Sequence, residues 1–433
     1  MVDLDTLFSL CKRRGYVYPS SEIYGGFGGF WDYGPLGVEL KRNIRELWWR
    51  SVVQERDDVV GLDAAIIMNP QVWVASGHVS HFADRLVECR NCKQRFREED
   101  VEGTVCPNCG GTLSEARMFN TMFKTFVGPV ESDASVAYLR PETAQGMFVD
   151  FKSVLATSRK KLPFGIAQIG KAFRNEITPG RFIFRLREFE LMEVEFFVRP
   201  GTDLDWHRYW VNQRVNWFHR YGISPENLKV YDVPAADRAH YSKATADLQF
   251  NYPFGWGELE GIADRTDYDL KLHAEASGED LTYFDEEANQ RFIPYVVEPA
   301  VGVERCFLAF LLNAYAEEPD KEGTRVVLRL HPRLAPYKVA ILPLSRKENL
   351  VQKAREVLGS VRPHFMTTYD DSQSIGRRYR RQDEIGTPWC VTVDFQSLED
   401  NQVTIRDRDS MTQERIPIAE LVANLSARLA AAG

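Results

Sequence analysis

The run FRNEITPGRFIFRLREFELMEVEFF, residues 173–197, sets four arginines and five glutamates among good strand formers. Side chains alternate across a strand with period two. On the return strand Arg185, Arg187, Phe189, Leu191, Glu193 and Glu195 therefore share one face. Phe184, Leu186, Met192, Val194 and Phe196 take the other, with Glu188 and Glu190 interrupting it. Arg174 and Glu176 share a face on the outgoing strand, before a turn at Pro179-Gly180. In an anonymous half-solvated hairpin these charges would form cross-strand ion pairs, each contributing well under ~1 kcal/mol. Sorted onto one face, they have a chemical use. Guanidinium groups bridge two oxygens of a phosphate or carboxylate in a fixed plane, and carboxylates hold a cation.

Four of the seven cysteines fall as Cys89-x2-Cys92-x13-Cys106-x2-Cys109, in the turn-like stretches ECRNCKQ and VCPNCGG. In a chain expected to work in a reducing compartment such pairs are zinc ligands rather than disulfides. Four thiolates leave no open position for substrate, so the ion would be structural. A reduced, empty ribbon and a module held by packing alone are the alternatives. Cys11, Cys306 and Cys390 are isolated and are expected as small buried residues.

The elements that must position these groups can be read along the chain. A length of 433 residues exceeds what one core usually serves, so two or three domains are expected. No apolar run approaches the ~18 residues of a membrane span. The start, MVDLDTLFSLCKRRGYVYP, lacks a signal-peptide core, which makes a cytoplasmic address the expectation. A net charge of -8 excludes an all-over basic coat but leaves room for one local basic face. Residues 35–54 put Leu36, Leu40, Ile44, Leu47, Trp48 and Val52 on one helical stripe, with Pro35 suited to a first helical position. A stretch with strand character follows, ending at Pro70. DLDWHRYWVNQRVNWFHR at 203–220 is a second amphipathic helix, within an insertion spanning 199–254. YVVEPAVGVERCFLAFLLNAY at 295–315 begins as a strand and turns helical after Gly302. A break is expected at EEPDKEGTR. Beyond residues 331–337 strands alternate with helices: KVAILPL, KENLVQKAREVLGSV, FMTTYD, GRRYRRQDEIG and WCVTVDF, a compact α/β domain over 336–433. From residue 331 on, 15 Lys+Arg stand against 13 Asp+Glu. The tail is thus the less acidic part, and the more suited to nucleic acid.

The pieces Phe173-Arg174-Asn175-Glu176, then Arg185, Phe189 and Glu193, resemble motif 2 of the class II aminoacyl-tRNA synthetases. VGVERCFLAFL at 301–311 looks like motif 3, and the helix at 35–54 with its strand looks like motif 1, the dimer-forming element. SSEIYGGFGGFWDYGPLGVELK at 20–41, LRPETAQGMF at 139–148, GWGELEGIADRTDYDL at 255–270 and YRRQDEIGTPWCVTVD at 379–394 are similar to the dimeric glycyl-tRNA synthetases over nearly the whole chain. The resemblance implies an α+β fold. A class II antiparallel sheet flanked by helices would occupy 1–330, with a zinc-ribbon-like insertion at 86–117. A C-terminal anticodon-binding domain would follow.

The activity implied is ATP-dependent attachment of glycine to tRNA(Gly) by a homodimer, with no membrane involved. The implied cofactors are ATP, Mg2+ and a structural Zn2+. Arg174, Arg305 and Glu304 would be catalytic. Glu176 would accept from the adenine amino group, and Phe189 and Arg305 would cover the two faces of the ring. Arg185 would reach the terminal phosphates, with Asn175, Phe184, Leu259 and Gly302 lining the nucleotide site. Glu258 and Glu304 would face Mg2+, as oxygen ligands suit a hard cation. Glu142, Glu193 and Glu298 would hold the glycine ammonium beside Ala300, where the family's Glu-Pro-Ser reads Glu298-Pro299-Ala300. Arg97 would be a further substrate contact. The arginines of GRRYRRQDE are open to two readings, RNA contact or a solvated helix face. Two rival functions remain: a synthetase for serine, proline or threonine, and a non-catalytic relative that only binds nucleic acid. Such relatives lose the arginines present here as Arg174 and Arg305.

Overall fold

The computed structural model describes residues 2–320 and 323–432. Seven strands build the central sheet: β1 (Val59–Gly61), β2 (Phe164–Phe173), β3 (Glu188–Val198), β4 (Leu228–Asp232), β5 (Ala244–Tyr252), β6 (Gly255–Thr266) and β7 (Tyr295–Gly302). Their order is β4-β5-β6-β7-β3-β2-β1, antiparallel except for the β1–β2 pair at one edge. Alternation along β3 explains the charge of the opening run. Phe189, Leu191 and Glu193 face a cavity, and Met192, Val194 and Phe196 enter the main core. Glu190, on the core side, receives Lys41 Nζ at 2.8 Å and Arg45 Nε at 3.3 Å from the helix Pro35–Trp49. Glu188 pairs with Lys171 at 2.8 Å across the hairpin.

The hairpin differs from expectation at its tip. Strand β2 ends at Phe173 and β3 starts at Glu188, so 174–187 is an irregular loop rather than two short strands around a turn. Arg181 and Phe182 lie at φ 55° and 58°, a region that regular strands do not visit. Arg187 fixes this loop: its Nε and Nη2 donate to Glu176 O and its Nη1 donates to Gly28 O. These side-chain bonds stand beside a few remaining backbone bonds, from Arg174 N–H to Arg187 O and between Gly180 and Arg185.

The helix Pro35–Trp49 buries Leu36, Leu40, Ile44, Leu47 and Trp48 against the helix Val303–Ala314. Of the insertion 199–254 only Asp203–Arg220 is a long helix; Leu228–Asp232 and Ala244–Tyr252 extend the sheet, so that region is part of the core fold. Residues 321 and 322 of the expected break lie outside the described residues. The flanking segments Tyr315–Asp320 and Gly323–Leu328 pair as an antiparallel ribbon.

The tail forms a five-stranded sheet in the order Thr367–Tyr369, Val339–Pro343, Trp389–Val393, Gln402–Asp407, Gln413–Pro417. Val339–Pro343 runs parallel to both its neighbours, and the last two strands are antiparallel additions. The helix Ile375–Glu384 packs on the ribbon of the preceding domain. Its arginines are largely bound within the protein. Arg378 is buried and donates to four backbone carbonyls. Arg380 pairs with Asp320 and Asp383, and Arg381 with Asp370. Arg377 is exposed. Most of this cluster therefore serves packing, because a buried guanidinium needs partners for all its donors.

Candidate active site

A cavity of about 660 Å³ opens over the sheet. Its floor comes from β3, β6 and β7, and its walls from the 174–187 loop, the helix after β7 and the 233–243 segment between β4 and β5. Arg97, Glu142, Arg174, Glu176, Phe184, Arg185, Phe189, Glu193, Glu258, Glu298, Ala300, Gly302, Glu304 and Arg305 all line it. Sheet periodicity gathers them. Register places Glu193 opposite Ala300 and Leu191 opposite Gly302 on the β3–β7 pair, and Ala300 opposite Gly261 on the β7–β6 pair. The floor is therefore small: a Cβ built on Gly261 or Gly302 would meet no atom closer than 3.8 Å.

Two expected residues lie elsewhere. Leu259 alternates away from Glu258 into the core and is 1 % exposed. Asn175 does not line the cavity; its N–H donates to Thr121 O at 2.7 Å.

The cationic side is preset. Arg174 Nε donates to Pro141 O at 3.0 Å, and its guanidinium lies 5.4 Å from the Phe82 ring and 5.3 Å from that of Phe189. The rings and the Pro141 carbonyl hold Arg174 at the cavity wall. Arg305 lies over Phe184 at 4.6 Å and pairs with Glu258 at 3.0 Å. Its charge is the main reason the Glu258 carboxyl is held below the usual range. Glu304 behaves otherwise. One oxygen accepts from Lys41 and the other from the Glu190 N–H, and Lys41 lies over the Tyr33 ring at 4.4 Å. Each of its oxygens thus carries one hydrogen bond from the protein, while the residue still lines the cavity. Glu258, half exposed, is the acid that presents itself to the cavity.

The acidic side is buried. Glu142 accepts from Gln145 Nε2 at 2.9 Å and has His78 Nε2 at 3.4 Å. Burial would raise its titration, but the charges of His78 and Arg265 outweigh it and keep it ionised. Glu193 accepts from both the N–H and the hydroxyl of Thr143. Burial, then the neighbouring Glu298 and Glu142, push it up to about 8. Glu298 accepts from Arg265 Nη1 at 2.8 Å. Arg265, 2 % exposed, also makes a bidentate pair with Asp269 at 2.7 and 2.8 Å and lies 4.0 Å from the Tyr241 ring. Sequence reading did not single out Arg265. It lies on β6, and its only signal was membership of the family-like stretch 255–270, as Thr143 and Gln145 belong to that at 139–148. Phe82 carried none.

The cysteine module hangs from a three-stranded sheet, Arg95–Arg97, Ala83–Glu88 and Arg117–Asn120. Its four Sγ atoms lie within 4.8 Å of one another, with Cys89–Cys109 at 3.5 Å and Cys92–Cys106 at 3.7 Å. Thiolates about 2.3 Å from a tetrahedral ion would be spaced much like this, so the donor set fits zinc. The same sheet carries Arg97, which Asp84 holds at 3.1 Å, to the edge of the cavity.

Comparison with known proteins agrees with this geometry. The tRNA synthetase class II core domain (G, H, P, S and T) matches residues 129–315, and an anticodon binding domain matches residues 338–428. The chain belongs to the class II aminoacyl-tRNA synthetases. It is 56% identical to the glycine–tRNA ligase of Thermobifida fusca over 99% of this chain and 98% of that protein. Identity is 55% to the Streptomyces coelicolor enzyme and 53% to that of Lysinibacillus sphaericus, over 98% of each chain in both cases. Within the class, it belongs to the glycine–tRNA ligase family. Among the described residues, no helix is long and apolar enough to cross a membrane.

Proposed function

We propose that the cavity makes glycyl-adenylate from glycine and ATP and passes the glycyl group to tRNA(Gly). The carrying observation is the meeting, over one small-residue floor, of Arg174 and Arg305 with the acids Glu142, Glu193 and Glu298. The glycine carboxylate is the nucleophile and is ionised at neutral pH, so no general base is required. What must be overcome is anion–anion repulsion and the charge that develops during in-line displacement. Arg174, held at the cavity wall by Pro141 O and the rings of Phe82 and Phe189, bridges the glycine carboxylate and the α-phosphate. Glu176 and Phe189 hold the adenine, Arg305 closes its other face, and Arg185 meets the terminal phosphates. When bound, Mg2+ supplies charge neutralisation on the phosphates, and Glu258 is the side chain to hold it.

Glycine offers no side chain to grip. The acids hold its ammonium beside a floor of the small residues Ala300, Ala263 and Gly261. Glu193 titrates at about 8 because of burial and its acidic neighbours. Below that pH the substrate ammonium competes with a proton, so KM for glycine is expected to fall by up to about tenfold per unit as pH rises from 6.5 toward 8. In Glu193→Gln the pH slope disappears and KM for glycine rises far more than KM for ATP. Equal effects on the two substrates would remove Glu193 from the ammonium site. Pyrophosphate exchange driven by serine or alanine in preference to glycine would overturn the substrate assignment.

The tail domain reads the anticodon in this proposal, with Arg377 the exposed cation of its helix. The enzyme is a cytoplasmic homodimer. Ile23, Tyr24 and Phe27, each at least 80% exposed, support a covered face beside the helix Pro35–Trp49. Sedimentation at low protein concentration tests it. Zinc at Cys89, Cys92, Cys106 and Cys109 is structural, since folding and metal affinity are linked. Chelation is expected to lower the melting temperature and to weaken activity through Arg97. Protein purified without chelator that contains no zinc by elemental analysis would end that assignment.

A further inference from the structure

Glu195 is a buried acid left unused by the chemistry above. It stands on β3 two residues beyond Glu193 and therefore on the same face of the sheet. The β3–β7 register pairs Glu193 with Ala300 and Phe196 with Val297, which sets Glu195 directly opposite Glu298. Like charges so opposed on neighbouring antiparallel strands repel. Here both are removed from water: Glu195 is 0 % exposed and Glu298 7 %. Their surroundings are unequal. Glu298 accepts from Arg265, whereas neither carboxyl oxygen of Glu195 has a hydrogen-bond partner. Two adjacent buried carboxyls resist joint ionisation, and the one without a guanidinium keeps the proton.

We propose that Glu195 is a positioning residue of the amino-acid site, held as a neutral acid whose proton braces Glu298 so that Glu298 keeps one orientation toward the substrate ammonium. The inference rests on the reading of this cavity as a glycine site. The titration direction agrees: burial first, then the charge of Glu298, push the Glu195 carboxyl well above the usual range, with Arg265 opposing. A neutral acid supplies a donor without adding a charge. That matters where Glu142, Glu298 and Asp269 already surround the Arg265 guanidinium and Glu193 lies beside Glu298 and Glu142.

Glycine-dependent pyrophosphate exchange with Glu195→Leu, Glu195→Gln and Glu193→Gln tests the proposal. E195L removes the donor at similar volume and is expected to raise KM for glycine about tenfold, leaving KM for ATP near that of the wild type. E195Q, neutral and still a donor, is expected to recover most of that loss. Infrared difference spectra of wild type against E195Q should show the C=O band of a protonated carboxyl, lost in the variant. E195Q raising KM for glycine as far as E193Q would make Glu195 an ionised ligand and overturn the proposal. So would E195L matching the wild type, or the absence of the protonated band. If E195L fails to fold, the infrared comparison decides. Wild-type exchange that does not depend on glycine would strike the site reading instead.

Discussion

Replacing Arg174 with alanine is expected to abolish glycyl-adenylate formation, with a loss on the order of 10²- to 10³-fold or more in pyrophosphate exchange. The size follows from where the group sits. Its Nε is tied to Pro141 O, it lies near the rings of Phe82 and Phe189, and it lines the cavity, so its charge is preset where carboxylate and phosphate would meet. Lysine would keep the charge but not the planar fork, so Arg174→Lys should recover little. The variant should fold normally, because the side chain contributes no core packing. Exchange at the wild-type rate in Arg174→Ala would remove this residue from the reaction and with it the phosphate side of the site.

The second large effect lies at the domain junction. Asp383, fully buried, accepts from Arg325 Nε at 2.9 Å, from Arg406 Nη1 at 2.8 Å and from Arg380 Nη1 at 3.2 Å. Arg325 comes from the ribbon of the first domain, while Asp383 and Arg406 belong to the tail. Asp383→Ala would leave two buried guanidiniums, on Arg325 and Arg406, without their carboxylate, the case in which breaking a buried ion pair costs about 3–5 kcal/mol. Calorimetry or urea unfolding should show that loss, with the tail domain released first. Exchange activity at low temperature should persist, because Asp383 does not line the cavity. A change within about 1 kcal/mol would mean that Glu318, which also holds Arg325 at 2.7 Å, suffices.

Much of the site was legible in the sequence because strand periodicity is local. Knowing that 188–198 is a strand is enough to put Phe189 and Glu193 on one face, and the family's motifs supplied Glu142, Glu258, Glu298 and Arg305 from separate stretches. The chain's own pattern also pointed to a helix at 35–54 through its apolar spacing; the structure forms an α-helix over Pro35–Trp49 and a wider helical turn over Arg50–Gln54. One reading failed: residues 174–187 carry strand formers yet make a loop, with Arg181 and Phe182 at positive φ and Arg187 binding the Glu176 and Gly28 carbonyls. Glu304 matched a motif position, and Lys41, from a distant helix, holds one of its oxygens.

What residue order by itself determined was the alternation of charge along each strand, the four thiols at metal-binding spacing and the order of the elements. Tertiary structure alone decided which acids meet and which are neutralised. Arg265 holds Glu298, Thr143 holds Glu193, His78 faces Glu142, and Glu195, opposite Glu298, accepts from no donor. Register between β3 and β7 brings residues 193–195 and 298–300 together across roughly a hundred positions of sequence. Titration in a buried cluster depends on such neighbours and on exclusion of water, and neither is encoded within any one stretch of the chain.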